Sequence, residues 1–576
     1  MNSILKKNNK KDSITIMVFA IVLILADSLM FWKTKYGYGG NDESFYLTIA
    51  HRLVKGDAML ADEWHMSQMS GIFIYPIMKF YLRLIPSTEG ILLHFRWIFI
   101  GIKSLFAIAY FTLLKKRYGM WAIGAVTIYL LFTPFNILQM SYNSMGLSLL
   151  LLSGILMTSL PQSGKRKNVG LIFSGIALAG AVLCCPYLLT LYVGIAIIKI
   201  YRSIHTKEKM YLYEILYFTI GCGIMAIIFL LFVFSRTSIL DIINNVPEML
   251  KDPEHPIQGV ASSTFHLVES IFHFYPLITS VFILIAIVAA IDVVVSRKRE
   301  NMKCLKFSKL YIGIMIIAII VQLIQLAGNI TFSYNLIMVP LSFLGMIVYY
   351  LAWLEGKIKK ISKKPMILGS FGVIYGWLLN MSSNNQLNIF SSAMTIAVIA
   401  SVLSYKEYVS LNCEHGNRYY KTAGSVVIGI QIIVLCISVT HHVFWENDIS
   451  KMDTRIEQGP LMGILTSSES AKMYEDLFDD LKWFDGKEEG NFVYFSEKPC
   501  AYLFVDMPYG THSGWSGSFQ TQCMLDERYY ELHPDKIPKY IYLEKQYGTE
   551  HEVEKWAKTN GYQVNVLENG YALVEN

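Results

Sequence analysis

Stretches of apolar residues long enough to cross a bilayer recur along this chain, separated by short polar loops. A run of roughly twenty such residues has one common use, an α-helix through the hydrocarbon core. The runs lie near 14–32, 91–114, 119–137, 143–160, 169–185, 187–201, 212–234, 274–296, 309–328, 334–354, 365–380, 387–404 and 423–444. They predict a multi-span α-helical membrane protein with about thirteen spans. The fifth and sixth runs can also be read as one bent hairpin turning at Cys185-Pro186. The eleventh and twelfth are short and flank Ser382-Ser383-Asn384-Asn385. With 53% hydrophobic and 16% charged residues, the composition is too apolar for an ordinary soluble chain.

The loops set the orientation. Alternate loops carry Lys115-Lys116-Arg117, Lys165-Arg166-Lys167, Lys199 to Lys209, Arg297-Lys298-Arg299 and Lys357 to Lys364. The positive-inside rule places these in the cytoplasm. Lys6, Lys7, Lys10 and Lys11 before the first run agree. An odd number of spans then puts the C-terminal tail outside a plasma membrane. The net charge of +6 is dispersed among these loops, which fits membrane topology and not nucleic-acid binding. The first run is long enough to span and no small-residue cleavage site follows it, so it reads as a retained helix. The eight cysteines form no zinc pattern. Cys184, Cys185, Cys222 and Cys436 sit in apolar runs and Cys304 and Cys413 in basic loops. Cys500 and Cys523, in the polar tail, read equally as a disulfide or as two free thiols.

Two outer segments are long. Lys33 to Gly90 holds an amphipathic stretch, Glu43 to Val54, and a second, Gly71 to Leu84, in which Pro76, Lys79 and Arg83 argue against a full span. Both are expected to lie along the membrane surface. Ser235 to His273 is broken by Pro247, Pro253 and Pro256. Long loops on a rigid helical base are where binding and catalysis tend to sit. After about residue 445 charged residues become frequent and apolar runs shorten. Ser468 to Leu481 and Glu550 to Thr559 read as helices, Asn491 to Phe495 and Tyr540 to Leu543 as strands. Tyr562 to Glu568 and Tyr571 to Val574 read as a hairpin around Asn569-Gly570. This predicts a transmembrane module over 1–445 and a small extracytoplasmic α/β domain over 446–576.

Asp42 and Glu43 stand just after the first span, in Gly39-Gly40-Asn41-Asp42-Glu43-Ser44-Phe45-Tyr46. Two adjacent carboxylates at the mouth of a helical bundle suit general acid–base work. Neighbours on a helix point about 100° apart, so one of them faces a given ligand. Asp42 is the expected base and Glu43 its supporting partner. The same residues also suit a plain helix start, with a capping side chain and an acid at the positive end of the dipole.

The Asp42-Glu43 pair followed by Ser44-Phe45-Tyr46, after an inward-starting first span and before surface helices, resembles the GT-C superfamily of polyprenol-dependent membrane glycosyltransferases. Within it the chain looks most like the branch of protein O-mannosyltransferases and bacterial aminoarabinose lipid A transferases. The resemblance implies an enzyme that takes a sugar from a polyprenyl-phosphate donor and transfers it to an extracytoplasmic acceptor, which is an envelope polymer, a lipid or a protein. It implies no metal and no cofactor, and it gives Asp42 the role of base on the acceptor. No Trp-Trp-Asp signature is present, which argues against whole-glycan transfer to asparagine. The tail does not resemble the β-trefoil of eukaryotic O-mannosyltransferases, which argues against a protein acceptor.

A phosphate leaving group calls for cations. Arg96 and Lys103 lie seven apart in the second span and share a face. Lys79, Arg83, His266 and His273 are further candidates. For sugar or acceptor, the candidates are Asp62, Glu63, His65 and Gln68 in the first long loop, Tyr142 and Asn143 after Ser141, and Tyr334 and Asn335 after Ser333. Interfacial anchoring and helix capping explain the Tyr-Asn pairs equally well. Asp62, Glu63 and His65, without spacing to a further ligand, do not make a metal site. Asp27 within the first span calls for a bundle partner. Trp445, Trp483 and Trp515, and the Gly510 to Gly517 loop with His512, suit either sugar stacking or domain packing. Two other classes fit a many-span chain: a transporter or flippase of lipid-linked sugars, and a non-catalytic scaffold for envelope assembly. A transporter often shows two related halves, and no internal repeat is found here.

Overall fold

The computed structural model describes residues 2–576 apart from 39, 160, 162–163, 252–258, 299–306, 330–333, 384, 413–417, 444, 447, 496 and 516–517. The side chains of 2–11, 40–41 and 296–298 are likewise outside the description. The basic residues at 6–11 and 297–299, and Pro253, Pro256, Cys304, Ser333, Asn384 and Cys413, therefore lie outside the described residues.

The chain opens with α1 (Asn2–Lys33), α2 (Gly40–Lys55), α3 (Gly71–Leu84), α4 (Ile91–Tyr118), α5 (Met120–Leu131), α6 (Tyr142–Ser159) and α7 (Lys165–Cys184). It continues with α8 (Leu189–Thr206), α9 (Met210–Phe234), α10 (Ile239–Met249) and α11 (Val260–Phe274). Long helices then run over Pro276–Lys298, Ser308–Ala327, Ser342–Leu354, Lys364–Met381, Gln386–Ala393, Thr395–Asn412 and Arg418–His441. Among the described residues, ten helices are long and apolar enough to cross a membrane. The count is eleven if Gln386–Ala393 and Thr395–Asn412, bent by 47°, form one span.

This corrects the expected thirteen in two places. The run 119–137 yields only α5, of 12 residues. At 1.5 Å per residue that is ~18 Å, short of a ~30 Å core. The chain then leaves the helix at Phe132, and Pro134 opens a 3-10 turn. The run 365–380 yields Lys364–Met381, which is not among the helices apolar enough over their length to cross a membrane. At Cys185-Pro186 the bent-hairpin reading gives way to two helices, because Cys185 is extended and Pro186 starts a new turn.

Packing inside the bundle uses small residues where helices must approach. A Cβ on Gly175 would sit 2.0 Å from the Phe218 carbonyl oxygen, and one on Gly221 2.0 Å from that of Ile172. The α7–α9 crossing thus depends on both glycines. Ile24, Leu25, Ile204 and Leu231 point outward without protein cover, as lipid-facing side chains do.

After His441 the chain forms a mixed four-stranded sheet in the order β3 (Phe492–Phe495), β4 (Tyr540–Glu544), β6 (Gly570–Glu575), β5 (Tyr562–Val566), preceded by the two-residue strands β1 (Thr454–Arg455) and β2 (Leu465–Thr466). β3 and β4 are parallel, and β5 and β6 form the hairpin expected at Asn569-Gly570. Helices Ser468–Leu481, Phe519–Leu532 and Glu550–Asn560 complete the domain. It is joined to the bundle by backbone as well as side chains. The Gly37 N–H donates to the Leu465 carbonyl and the Leu465 N–H to that of Lys35, each at 2.7 Å. Cys500 and Cys523 are both free thiols.

Candidate functional site

α2 begins where the sequence concentrates negative charge and ends where it concentrates positive charge. Asp42 and Glu43 occupy its first turn, Arg52 and Lys55 its last, which is the favourable polarity for the helix dipole. Both sides of this helix are buried. Phe45, Leu47, Ile49 and Leu53 pack apolar groups, while Ser44, Thr48, His51 and Arg52 are also covered. It therefore lies between the membrane bundle and the C-terminal domain. The exposed Phe80 and Leu84 of α3 give that helix an open apolar side.

Glu43 is 1% exposed. It accepts hydrogen bonds from Arg96 Nε at 3.2 Å, from Arg96 Nη2, and from the Leu138 N–H at 3.0 Å. Arg96, also 1% exposed, donates further to the carbonyls of Thr34 at 2.6 Å and Gly37 at 2.7 Å. In this arrangement Arg96 ties the end of α1 to the start of α2, and Glu43 takes the Leu138 N–H of the α5–α6 connection. Its guanidinium is matched by protein oxygens.

Asp42 is half-buried and forms no ion pair among the described residues. Burial pushes its carboxyl up from the ordinary carboxylate range to about 7, and the adjacent Glu43 charge adds to the push. It acts electrostatically on Tyr46 and on Tyr142, whose rings are 6.1 Å apart. Tyr142 in turn lines a cleft of about 130 Å³. One wall of that cleft is His65, Met66 and Ser67; another is the α7–α8 break at Cys184, Cys185 and Pro186. Met249 and Leu250 at the end of α10, and Leu379 and Met381, close it. The lining is mainly apolar and contains no Lys or Arg among the described residues.

The α5–α6 connection is buried and strained. Phe135 and Asn136 both have positive φ, 55° and 60°, a region costly for residues other than glycine. Asn335 Oδ1 accepts from the Phe135 N–H at 2.9 Å, and Tyr334 stacks between Phe132 and His442. Tyr334 and Asn335 therefore hold this connection in place. Along the same stretch Asn136 Oδ1, Gln139 Oε1 and Asn143 Oδ1 are buried without a hydrogen-bond partner. Unsatisfied buried acceptors mark a place where donors from water or a ligand are wanted.

Asp62, Glu63 and Gln68 are also engaged. Arg52, 1% exposed, donates to Asp57, to Glu63 at 3.0 Å and to the carbonyl of Thr511 at 2.6 Å. Asp62 accepts from the Ala58 N–H at 2.7 Å and faces Lys536. Gln68 accepts from the Leu60 N–H at 2.7 Å, where Leu60 has φ 65°. These three residues shape the loop through these contacts. His65 alone of that cluster lines the cleft, with Nδ1 accepting from the Ser67 N–H. Lys103 donates to the carbonyl of Phe132 at 2.8 Å and to Thr133, deep in the bundle. Asp27 accepts from Ser104. Lys79, Arg83, His266 and His273 are exposed, with His266 beside Glu269.

The C-terminal domain completes the surroundings of α2. His51 binds Tyr509 at 3.0 Å and Asp506 at 2.9 Å. Burial works against the Asp506 charge, yet hydrogen bonds from His51 and Lys55 outweigh it and hold the carboxyl at about 2. Trp515 packs 5.5 Å from Phe45 and 6.3 Å from His65. A Cβ on Gly514 would meet Thr48 Oγ1 at 2.7 Å, so this loop approaches α2 closely. The Trp64 N–H donates to the His512 carbonyl at 2.9 Å. Over its described part the Gly510 to Gly517 loop is thus a cover on α2. Trp445 and Trp483 lie elsewhere, the first exposed and the second under Lys487. Sequence reasoning passed over His51, Arg52 and the Cys185-Pro186 wall. A basic residue with Asp57, Asp62 and Glu63 following closely was the signal available for Arg52.

No family model and no curated protein matches the chain. Among solved structures, ArnT from Cupriavidus metallidurans is similar both in its apo state and bound to undecaprenyl phosphate. In each case the TM-score is 0.51 at 10% identity, over 97% of both chains. The archaeal oligosaccharyltransferase AglB from Archaeoglobus fulgidus, in complex with an inhibitory peptide and a dolichol-phosphate, matches with TM-score 0.47 and 13% identity. That match covers 97% of this chain and 74% of AglB. The likeness to ArnT runs through nearly all of both chains and gives this chain the same overall fold.

Proposed function

We propose that this chain is a membrane glycosyltransferase that moves a sugar from a polyprenyl-phosphate donor to an acceptor hydroxyl on the extracytoplasmic side of the plasma membrane. The acceptor is an envelope polymer, a lipid or a protein. Asp42 takes the proton of the acceptor hydroxyl. The freed oxygen pair attacks the anomeric carbon, and the bond from that carbon to the phosphate oxygen breaks with inversion, its electrons leaving on the lipid phosphate. The observation that carries this reading is the contrast between the two acids: Glu43 is held by Arg96, while Asp42 stands without a cation beside the Tyr142 cleft. A carboxyl held at about 7 is matched to proton transfer near neutral pH.

His65 and Tyr142 line the cleft in which the donor sugar sits, and the apolar wall at Cys185-Pro186 receives the isoprenoid. Asn143, with its unpartnered carbonyl oxygen, binds a sugar hydroxyl. Lys79 and Arg83, exposed on α3, are the cations left to meet the phosphate. The same fold in ArnT, solved with undecaprenyl phosphate, supports a donor of this kind. The test uses the purified chain in lipid nanodiscs with polyprenyl-phosphate sugars and envelope extract as acceptor source. Sugar must move to acceptor in the parent and not in Asp42→Asn, while both still bind the donor. Donor-independent transport of a solute, or equal product from both proteins, removes the proposal.

A further inference from the structure

The C-terminal domain holds a second cavity, of about 640 Å³, that shares no lining residue with the cleft beside Asp42. Its floor is aliphatic, from Ile541 and Leu543 of β4 and Leu573 of β6. Its walls are aromatic pairs. Phe519 stacks on Tyr547 with ring centroids 5.3 Å apart, and Trp556 on Tyr562 at 5.8 Å. Trp556 is 46% exposed, an uncommon position for so large an apolar surface in a small domain. The cavity opens to solvent, and its volume falls in the range of ligand pockets.

The charge of the lining has one sign. Asp526, Glu527, Glu552 and Glu575 contribute carboxylates, and no Lys, Arg or His is among the described lining residues. Asp526 is buried and accepts from Thr511 Oγ1 at 2.8 Å and from His512. Glu527, Glu552 and Glu575 are exposed. Such a lining repels phosphate and carboxylate ligands and draws cations. Carboxylates also accept hydrogen bonds from hydroxyl and ammonium groups. Ring faces attract both cations and the C–H faces of other rings.

We propose that this cavity binds an amine-bearing glycan, apart from the place of sugar transfer. The choice of a glycan over other cations rests on the glycosyl-transfer reading above; the preference for positive charge and for stacking does not. The cavity also has a physical connection to α2. Its wall residue Asp526 holds Thr511 and His512, whose carbonyls accept from Arg52 and the Trp64 N–H.

The test is calorimetric titration of the full chain in nanodiscs at pH 6. The ligands are a glucosamine tetramer, its fully N-acetylated form, a galacturonic acid tetramer and a lysine tetrapeptide. The glucosamine tetramer is expected to bind saturably and at least about tenfold tighter than the acetylated form, as one desolvated ionic contact would give. Added salt weakens it, and the galacturonate does not bind. Trp556→Ala and, separately, Glu527→Gln each weaken it by about tenfold or more. Glu527 is a surface residue, so its variant keeps the test open should Trp556→Ala fail to fold. Absence of binding by the glucosamine tetramer overturns the proposal. So does equal binding of the lysine peptide, or binding unchanged in both variants. The readout is binding and not turnover, so a chain that proves unable to transfer sugar leaves this result standing by itself.

Discussion

Arg96 holds Glu43 and leaves Asp42, one residue back along the same helix, without a counter-ion. The two acids share a turn but not an environment. Glu43 is held by Arg96 and the Leu138 N–H, and Asp42 acts electrostatically on Tyr142, which lines the cleft. In the proposed reaction, this difference in partners makes Glu43 the anchor and Asp42 the base.

The first prediction separates these roles. Asp42→Asn keeps the shape of the side chain and removes its basicity. Transfer is expected to fall by about a hundredfold or more, with donor binding unchanged. Thermal stability is expected not to drop, because a desolvated carboxyl is replaced by a neutral amide. Product formation, donor binding and melting in nanodiscs check all three.

The second concerns pH. In the proposed reaction Asp42 works only when deprotonated, and burial pushes its carboxyl up to about 7. Below that value the fraction of free base falls with each proton gained, so the rate at subsaturating donor is expected to drop about tenfold per pH unit. Above it the rate levels off. A profile flat from pH 5 to 8 would separate the rate from this group.

Much of this arrangement could be read from residues alone, and the remainder could not for physical reasons. Asp42-Glu43 at a helix start, the apolar spans and the Asn569-Gly570 hairpin are local patterns, set by charge, length and turn chemistry within a few residues. The Arg96–Glu43 pair spans 53 positions and depends on how α4 packs against α2. Lys103 and Arg96 share a helix face as the spacing requires, yet each meets protein carbonyls that no periodicity reveals. α5 is as apolar as any span, and composition alone cannot say that the chain leaves the helix at Phe132. Helix Phe519–Leu532 carries little apolar periodicity, which hid it; its Ser518 cap was the one local cue.

The third prediction tests the anchor. Arg96→Ala strips a buried carboxylate of its partner and also frees two carbonyls. Breaking such a pair costs about 3–5 kcal/mol, so the variant is expected to lose most of its folded yield. Arg96→Lys keeps the charge but cannot span Glu43, Thr34 and Gly37 at once. It is expected to be intermediate in melting temperature. The outcome that counts against this account is a fully stable Arg96→Ala protein whose only defect is weaker donor binding, because that would return Arg96 to the phosphate.

The fourth reaches across to the C-terminal domain. Arg52 is buried and has partners on both sides: Asp57 and Glu63 in the loop after α2, and the Thr511 carbonyl and Tyr529 hydroxyl in the domain. Removing the domain would leave this guanidinium with its carboxylates but open to water, and would expose Phe45 where Trp515 now covers it. A chain ending after the last span is therefore expected to insert in membranes yet transfer no sugar, since α2 loses one of its two supports. The narrower variant Trp515→Ala keeps the domain and removes only the cover. Burial of one aromatic ring is worth a few kcal/mol, about 3–5 for a full Trp→Ala change, and Trp515 is only partly enclosed. Its expected signature is a lower rate with melting shifted by a few degrees and the α2 segment exchanging amide hydrogens faster. Unchanged exchange over residues 43–52 in Trp515→Ala would mean that the domain sits on α2 without supporting it.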